Sequence, residues 1–221
     1  MTAMLDKAYA ARREASIDPR KASWEPRLGA DMGDTMNLAV MARDGNIASI
    51  IQSPYGLFVS AVAVEGRRFI LHNRAGRFCL EPNKPNTLKP RTRPFHAIIP
   101  ALLGKGDLRV SFGIIGGENQ PQVHARLVSN IADFQMNIQA ALDAPRFLNS
   151  GPTGCKTQIE QRIPAQVRQQ LSSRGHKLDV HGDYYRIGPG EAVMRDQAKG
   201  INYGTSDPRG DRAAVSESPV F

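Results

Sequence analysis

Gly33-Asp34-Thr35-Met36-Asn37-Leu38-Ala39-Val40 is followed by Arg43-Asp44-Gly45-Asn46 and then by Ile47-Ala48-Ser49-Ile50-Ile51-Gln52-Ser53. Apolar residues alternate with small or polar ones after Thr35, the Asp-Gly-Asn break interrupts them, and a second β-rich run follows. This pattern predicts a hairpin entering a buried sheet, with Thr35 opening its first strand. A threonine in that position would carry its own base if the chain were cut just before it. A free α-amino group titrates at about 7.7–8.0, against about 10.4 for lysine, and can take the proton of the adjacent hydroxyl. Gly-Asp-Thr also suits an ordinary turn into a strand, and spacing alone leaves both readings open.

Upstream, residues 4–16 contain good helix formers with Leu5, Ala8 and Tyr9 on one side, and the pattern stops at Asp18-Pro19. Residues 18–32 have no periodicity and read as a loop. Downstream, Tyr55 to Val64 and Arg68 to Asn73 read as strands, and Glu81 to Pro94 as an irregular loop rich in Pro, Asn and Lys. Phe95 to Leu103 reads as a buried strand, and Asp107 to Ile115 returns along it across a Gly104-Lys105-Gly106-Asp107 turn.

Gly116-Gly117 ends that strand, and Glu118-Asn119-Gln120-Pro121 opens a helix with Val123, Leu127, Ile131 and Phe134 on its core face. A strand end, two glycines and a helix N-terminus expose several backbone N–H groups beside a positive dipole end, which suits an oxyanion. Gly-Gly also merely permits a tight turn. Further on, Asn137 to Ala144 is a short helix ended by Pro145, residues 156–161 are a strand, and Pro164 to Arg174 is an amphipathic helix with Val167 and Leu171 inward. Gly175 caps that helix, and Lys177 to Val180, Glu191 to Arg195 and Ile201 to Thr205 are strands. Strands joined by hairpins with two or three helices packed on them make an α+β chain.

The 221 residues suffice for one sizeable core or two small ones. Lys and Arg number 29 against 21 Asp and Glu, a net charge of +8, which raises nucleic acid as a partner. The basic residues are spread along the chain, and the densest cluster, Lys84, Lys89, Arg91 and Arg93, is a Pro-rich loop without interleaved aromatics. We therefore expect no nucleic-acid partner. Cys79 and Cys155 lack metal-ligand or framework spacing, so no metal is expected. The first 16 residues have no apolar core of the signal-peptide type, and no apolar run reaches about 18 residues. No membrane span and a cytoplasmic location are the resulting expectations.

Taken together, these pieces resemble the small-subunit region of the gamma-glutamyltranspeptidase family, N-terminal-nucleophile enzymes that cleave themselves and then use the new N-terminal threonine. The resemblance is carried by Gly33-Asp34-Thr35 with Asp44-Gly45-Asn46 and Gln52-Ser53; Asn73; Pro85-Asn86 and Leu88; Arg93-Pro94-Phe95-His96; Gly116-Gly117; Asp143-Ala144-Pro145-Arg146-Phe147; Arg174-Gly175-His176; and Ser206-Asp207-Pro208-Arg209. It implies an αββα sandwich of which this chain holds the C-terminal part. Residues 1–34 would then be the end of a large-subunit region with a cleavable connector, and residues 35–221 the small-subunit catalytic region. Thr35 would attack the carbonyl of Asp34, be freed as a terminus, and then attack a gamma-glutamyl or carboxyacyl amide without any cofactor. Gly116 and Gly117 would hold the oxyanion, and Ser53 would orient the nucleophile.

Three departures from the family pattern qualify what the resemblance implies. Only 34 residues precede Thr35, so the chain is expected to be a fragment, a truncated relative or half of a two-gene assembly, to expose apolar sheet surface, and to need a large-subunit chain or self-association. A non-catalytic remnant acting as an assembly module is the alternative, and a leader on a longer form would place it in the periplasm. Within Asn73-Arg74-Ala75-Gly76-Arg77-Phe78, Arg77 stands where the family places the second of two acids that bind a substrate ammonium, which disfavours glutathione and favours a glutaryl or other carboxyacyl amide. Val59 and Ala61 replace glycines, crowding any backbone that needs positive φ. Among the histidines, His96 is a candidate substrate contact, while structural roles are expected for His124 and His176.

Overall fold

The computed structural model describes residues 6–15, 17–21, 34–56, 60–149 and 156–216. In chain order the elements are α1 (Lys7–Ala15), β1 (Asp34–Met41), β2 (Ile47–Tyr55), β3 (Ala63–Val64), β4 (Phe69–Ile70), β5 (Pro100–Lys105), β6 (Leu108–Ile114), α2 (Gln120–Ala132), α3 (Ile138–Asp143), β7 (Phe147–Asn149), β8 (Lys156–Glu160), α4 (Ala165–Ser173), β9 (Lys177–His181), β10 (Gly190–Asp196) and β11 (Ile201–Ser206). Two compact units share them: residues 1–29 with 147–183, and residues 30–146 with 184–221. None of the described helices is long and apolar enough to cross a membrane.

The larger unit is built on β6. Antiparallel pairing gives the sheet order β11-β10-β6-β5, and β1 and β2 form a separate two-stranded antiparallel sheet. Alternation along β6 sends odd-numbered side chains to the hairpin and even-numbered ones to the helices. Ser111 Oγ donates to the Ala48 carbonyl on β2, and Gly113 lies so close beneath Asn37 of β1 that a β-carbon there would overlap the Asn37 amide. On the other face the Phe112 ring lies 5.2 Å from His124 of α2, and Val110, Phe112, Ile114, Val123 and Leu127 are buried. A strand sealed on both faces by its own chain is the centre of the core.

Beneath the helices, Arg146, Asp207 and Arg209 form a buried cluster. Arg146 Nη2 meets Asp207 Oδ2 at 2.6 Å and Arg209 Nη1 meets Asp207 Oδ1 at 3.0 Å. The remaining guanidinium donors reach the carbonyls of Leu142, Ala144, Ile187 and Gly188, and Asp207 Oδ2 also accepts from Gly190 N. The cluster thereby fixes the end of α3 and the approach to β10, and Pro189 O accepts from Ile115 N at the end of β6.

The hairpin's outer face differs. Along β1, Thr35 and Asn37 point inward, while Met36 is 74% exposed and Leu38, Val40 and, from β2, Ile50 are also exposed. The expected exposure of apolar sheet surface is thus found on β1–β2, whereas β6 is covered on both sides.

Other expectations are corrected. The strand read from Tyr55 to Val64 is interrupted, since Tyr55 (φ 76°) and Ala61 (φ 52°) adopt left-handed conformations, and only Ala63–Val64 pairs with Phe69–Ile70. The run Arg68 to Asn73 reduces to those two residues because Arg68 (φ 54°) belongs to the turn. Phe95 to Leu103 becomes a strand only from Pro100; Ile99 N donates to the Gln120 side chain and Ile99 O meets His124, so this backbone is satisfied by side chains instead of a ladder. Phe134 lies past the end of α2 and is exposed.

In the smaller unit β7-β8-β9 form a sheet in which β8 and β9 run parallel, joined by α4. No residue of α4 is buried and Val167 is exposed, contrary to the inward reading. The connector residues 22–33, Val59 and Cys155 lie outside the described residues.

Asp207→Asn leaves the two buried guanidinium groups undercompensated and is expected to lower stability by about 3–5 kcal/mol. Leu38→Lys, on the exposed hairpin face, is expected to change it by less than about 0.5 kcal/mol. Urea denaturation of both variants checks the contrast.

Candidate active site

The register of the hairpin is Asp34 against Tyr55 and then Met36 against Gln52, so Thr35 faces the two residues Ser53 and Pro54. Pro54 has no N–H to give a ladder, and a bulge is the ordinary solution. The bulge brings two hydroxyls together: Thr35 Oγ1 donates to Ser53 Oγ at 3.1 Å, and Ser53 Oγ also accepts from Tyr55 N at 2.9 Å. Thr35 itself is 7% exposed, facing the interior of its unit on the same side of β1 as Asn37.

At the end of β6, Gly116 (φ 111°) and Gly117 (φ 59°) both take the left-handed region that side chains resist. A 3-10 turn over Gly117–Asn119 then enters α2, with Asn119 N donating to Gly116 O and Gln120 N to Gly117 O, and with Pro121 contributing no N–H. Asn37, which rests on Gly113, links the strand bearing Thr35 to the one ending at Gly116. Asn119 and Gln120 are buried behind this turn, and among the described residues Asn119 Oδ1 and Gln120 Nε2 meet no hydrogen-bond partner.

Asn73 is a backbone clamp. Its N donates to Pro54 O and its Oδ1 accepts from Gly56 N, so it holds the chain on both sides of Tyr55. Arg77 is half-buried, with its guanidinium 5.4 Å from the Tyr55 ring centre and 5.9 Å from that of Phe95. His96 is exposed, outside any strand, bonded through Nδ1 to Pro94 O and edge-on to His72. Sequence reasoning missed Arg74 and Tyr55: Arg74 is buried with its guanidinium 5.2 Å from the same ring. An aromatic directly after Ser53-Pro54, and two arginines three apart around a glycine, were the available signals.

A cleft of about 680 Å³ opens beside Ser53, walled by Pro54, Phe69 and Leu71 with Arg68 and His72 among its polar groups. Among the described residues no group of three or more His, Cys, Asp or Glu side chains is placed to hold a metal ion. His124 is structural, as expected: buried on α2, its ring nitrogens face the carbonyls of Gln120 and Ile99.

The family model for gamma-glutamyltranspeptidase matches residues 1–217. The chain is 36% identical to a glutathione hydrolase-like proenzyme of Bacillus subtilis over 96% of its own length, and 32% identical to an oxamate amidohydrolase proenzyme of Klebsiella pneumoniae over 90%. It spans 41% and 38% of those two proteins. Among solved structures it matches a cephalosporin acylase from Bacillus halodurans with a TM-score of 0.84 and 38% identity, over 97% of this chain and 39% of that one. A gamma-glutamyltranspeptidase from Pseudomonas nitroreducens, with a TM-score of 0.71 and 20% identity over 82% of this chain and 99% of that chain, shares the fold. The fold is that of the N-terminal-nucleophile hydrolases, as the sequence resemblance implied.

Burial holds the His124 imidazole below its ordinary value of 6.5, with its two carbonyl contacts opposing. The unfolded chain therefore takes up a proton that the folded chain refuses, so this contribution is full above pH 6.5 and is lost as pH falls below it. Melting temperatures taken down from neutral pH are expected to show a decline that His124→Gln flattens.

Proposed function

The chain belongs to the gamma-glutamyltranspeptidase family, a group of amide hydrolases and acyltransferases, and on that premise we propose that Thr35 is an N-terminal nucleophile released by self-cleavage after Asp34. The Thr35 hydroxyl adds to the Asp34 carbonyl carbon, the peptide nitrogen leaves as the Thr35 amine, and water cleaves the resulting ester. The freed amine then takes the hydroxyl proton as Oγ1 attacks a substrate amide. The N–H groups of Gly116 and Gly117 receive the developing oxyanion. The leaving amine departs with that proton, and the acyl ester passes to water or to an acceptor amine.

The observation that carries this reading is the hydrogen bond between the Thr35 and Ser53 hydroxyls at the β1–β2 bulge. It gives Thr35 a neighbour able to fix its χ1 and hold its oxygen toward an attacked carbonyl. Asn73 supports this corner through Pro54 and Gly56, Arg77 borders the donor site, and His96 is assigned to the substrate side. The boundary at residue 34 is thus one of chemistry, separate from the two compact units. The exposed face of Met36, Leu38, Val40 and Ile50 is the surface on which a large-subunit chain or a second copy would complete the sandwich.

Intact-mass measurement tests the reading. Residues 1–34 and 35–221 are expected as separate species, with amide hydrolysis appearing in step. Thr35→Ala is expected to remain whole and to lose about 10³-fold or more in turnover. A persistent intact chain after long incubation would favour the non-catalytic alternative.

A further inference from the structure

Residues 94–99 run from the cleft to α2 without a strand ladder to hold them. Near one end His96 stands edge-on to His72, with ring centres 6.5 Å apart, and His72 lines the cleft beside Ser53. At the other end β5 begins only at Pro100, opposite Gly113 of β6. Ala97, midway, is buried, so the segment lies against its unit instead of looping clear of it.

Two side chains of α2 take both backbone polar groups of Ile99. Ile99 N donates to Gln120 Oε1 at 2.9 Å, and His124 Nε2 meets Ile99 O at 3.0 Å. Residues four apart share a helix face, so one residue of the segment reaches both. Gln120 is fully buried, and among the described residues its Nε2 meets no partner, so the bond to Ile99 alone fixes which way its amide points. The same helix start is bonded to the glycine turn, with Asn119 N donating to Gly116 O at 3.1 Å and Gln120 N to Gly117 O. Gln120 therefore holds the glycine turn through its backbone and residues 94–99 through its side chain.

We propose that Gln120 is a positioning residue that sets the gap between His96 at the cleft and the Gly116–Gly117 turn, with His124 as its second arm. The inference rests on the proposed reaction at Thr35, in which that turn receives the oxyanion. A substrate amide whose carbonyl is held at the turn and whose remainder lies along the cleft has to fit a gap that this one side chain fixes. Without the bond to Ile99, residues 94–99 swing away from α2 while the glycine turn keeps its own backbone bonds. Binding of ground state and transition state then weakens alike, which raises KM and spares kcat.

Amide hydrogen exchange in the full chain carrying Thr35→Ala tests the attachment apart from turnover. Gln120→Met is expected to speed exchange at residues 95–99 about tenfold, while the amides of β6 keep their rates and show that the unit is folded. His124→Phe, which removes the other contact, is expected to act on the same residues, so the attachment is tested even where one substitution costs the fold. In the chain that keeps Thr35, Gln120→Met is expected to raise KM for glutaryl p-nitroanilide about fivefold with kcat within about twofold, whereas partial unfolding lowers kcat with KM unchanged. Unaltered exchange at residues 95–99 in both variants, or a fall in kcat with KM unchanged, overturns the proposal. A wild type that neither releases residues 1–34 nor turns over removes the Thr35 reading, and the exchange result then decides by itself whether Gln120 holds the segment.

Discussion

The buried contact of Asp207 with Arg146 and Arg209 is the constraint on which the larger unit depends. Three stretches distant in sequence meet there: the end of α3, the approach to β10, and the turn after β11. Each is irregular backbone with carbonyls that need donors, and the two guanidinium groups supply them. With those stretches fixed, Gly190 lies so close to Ile114 and the Gly113 carbonyl that no β-carbon fits. The end of β6, and with it the Gly116–Gly117 turn, inherits its position from this cluster. A charge cluster of this kind adds little net stability against an apolar replacement, but removing one member is severe. Its structural contribution is geometric definition.

On the opposite face the logic is steric and polar instead of ionic. Gly113 admits the Asn37 amide, and Ser111 and Ser49 exchange hydrogen bonds with backbone carbonyls across the two sheets. Polar residues therefore line the interior between the sheets, while the apolar residues of β1 look outward. This inverts the usual pattern for a hairpin on a core. It places Thr35 and Ser53 inside, and it leaves Met36 and Leu38 facing the solvent.

Much of this was legible in the chain itself. The hairpin, the β5–β6 turn, the Gly-Gly helix entry, the short helix ended by Pro145 and the β10–β11 pair were readable because turn chemistry and periodicity agree there. Phe95 to Ile99 misled because an apolar run looks like a strand whether its backbone bonds a neighbour or, as here, Gln120 and His124. Val167 misled because periodicity fixes a helix face but not what that face meets. The pairing of Thr35 with Ser53 followed from resemblance, whereas the bulge that produces it depends on register. The spacing of Arg74 and Arg77 was visible in the sequence, but nothing local marks Arg74 as the buried one of the two.

The cluster around Asp207 also has a bearing on timing. Proteins are made from the amino end, so the hairpin carrying Thr35 leaves the ribosome long before residues 207–209. The Gly116–Gly117 turn takes its final position only once residues 207–209 have joined it. Under the proposed function, self-cleavage before Thr35 would wait until residues 207–209 had joined the fold, long after the hairpin itself was made.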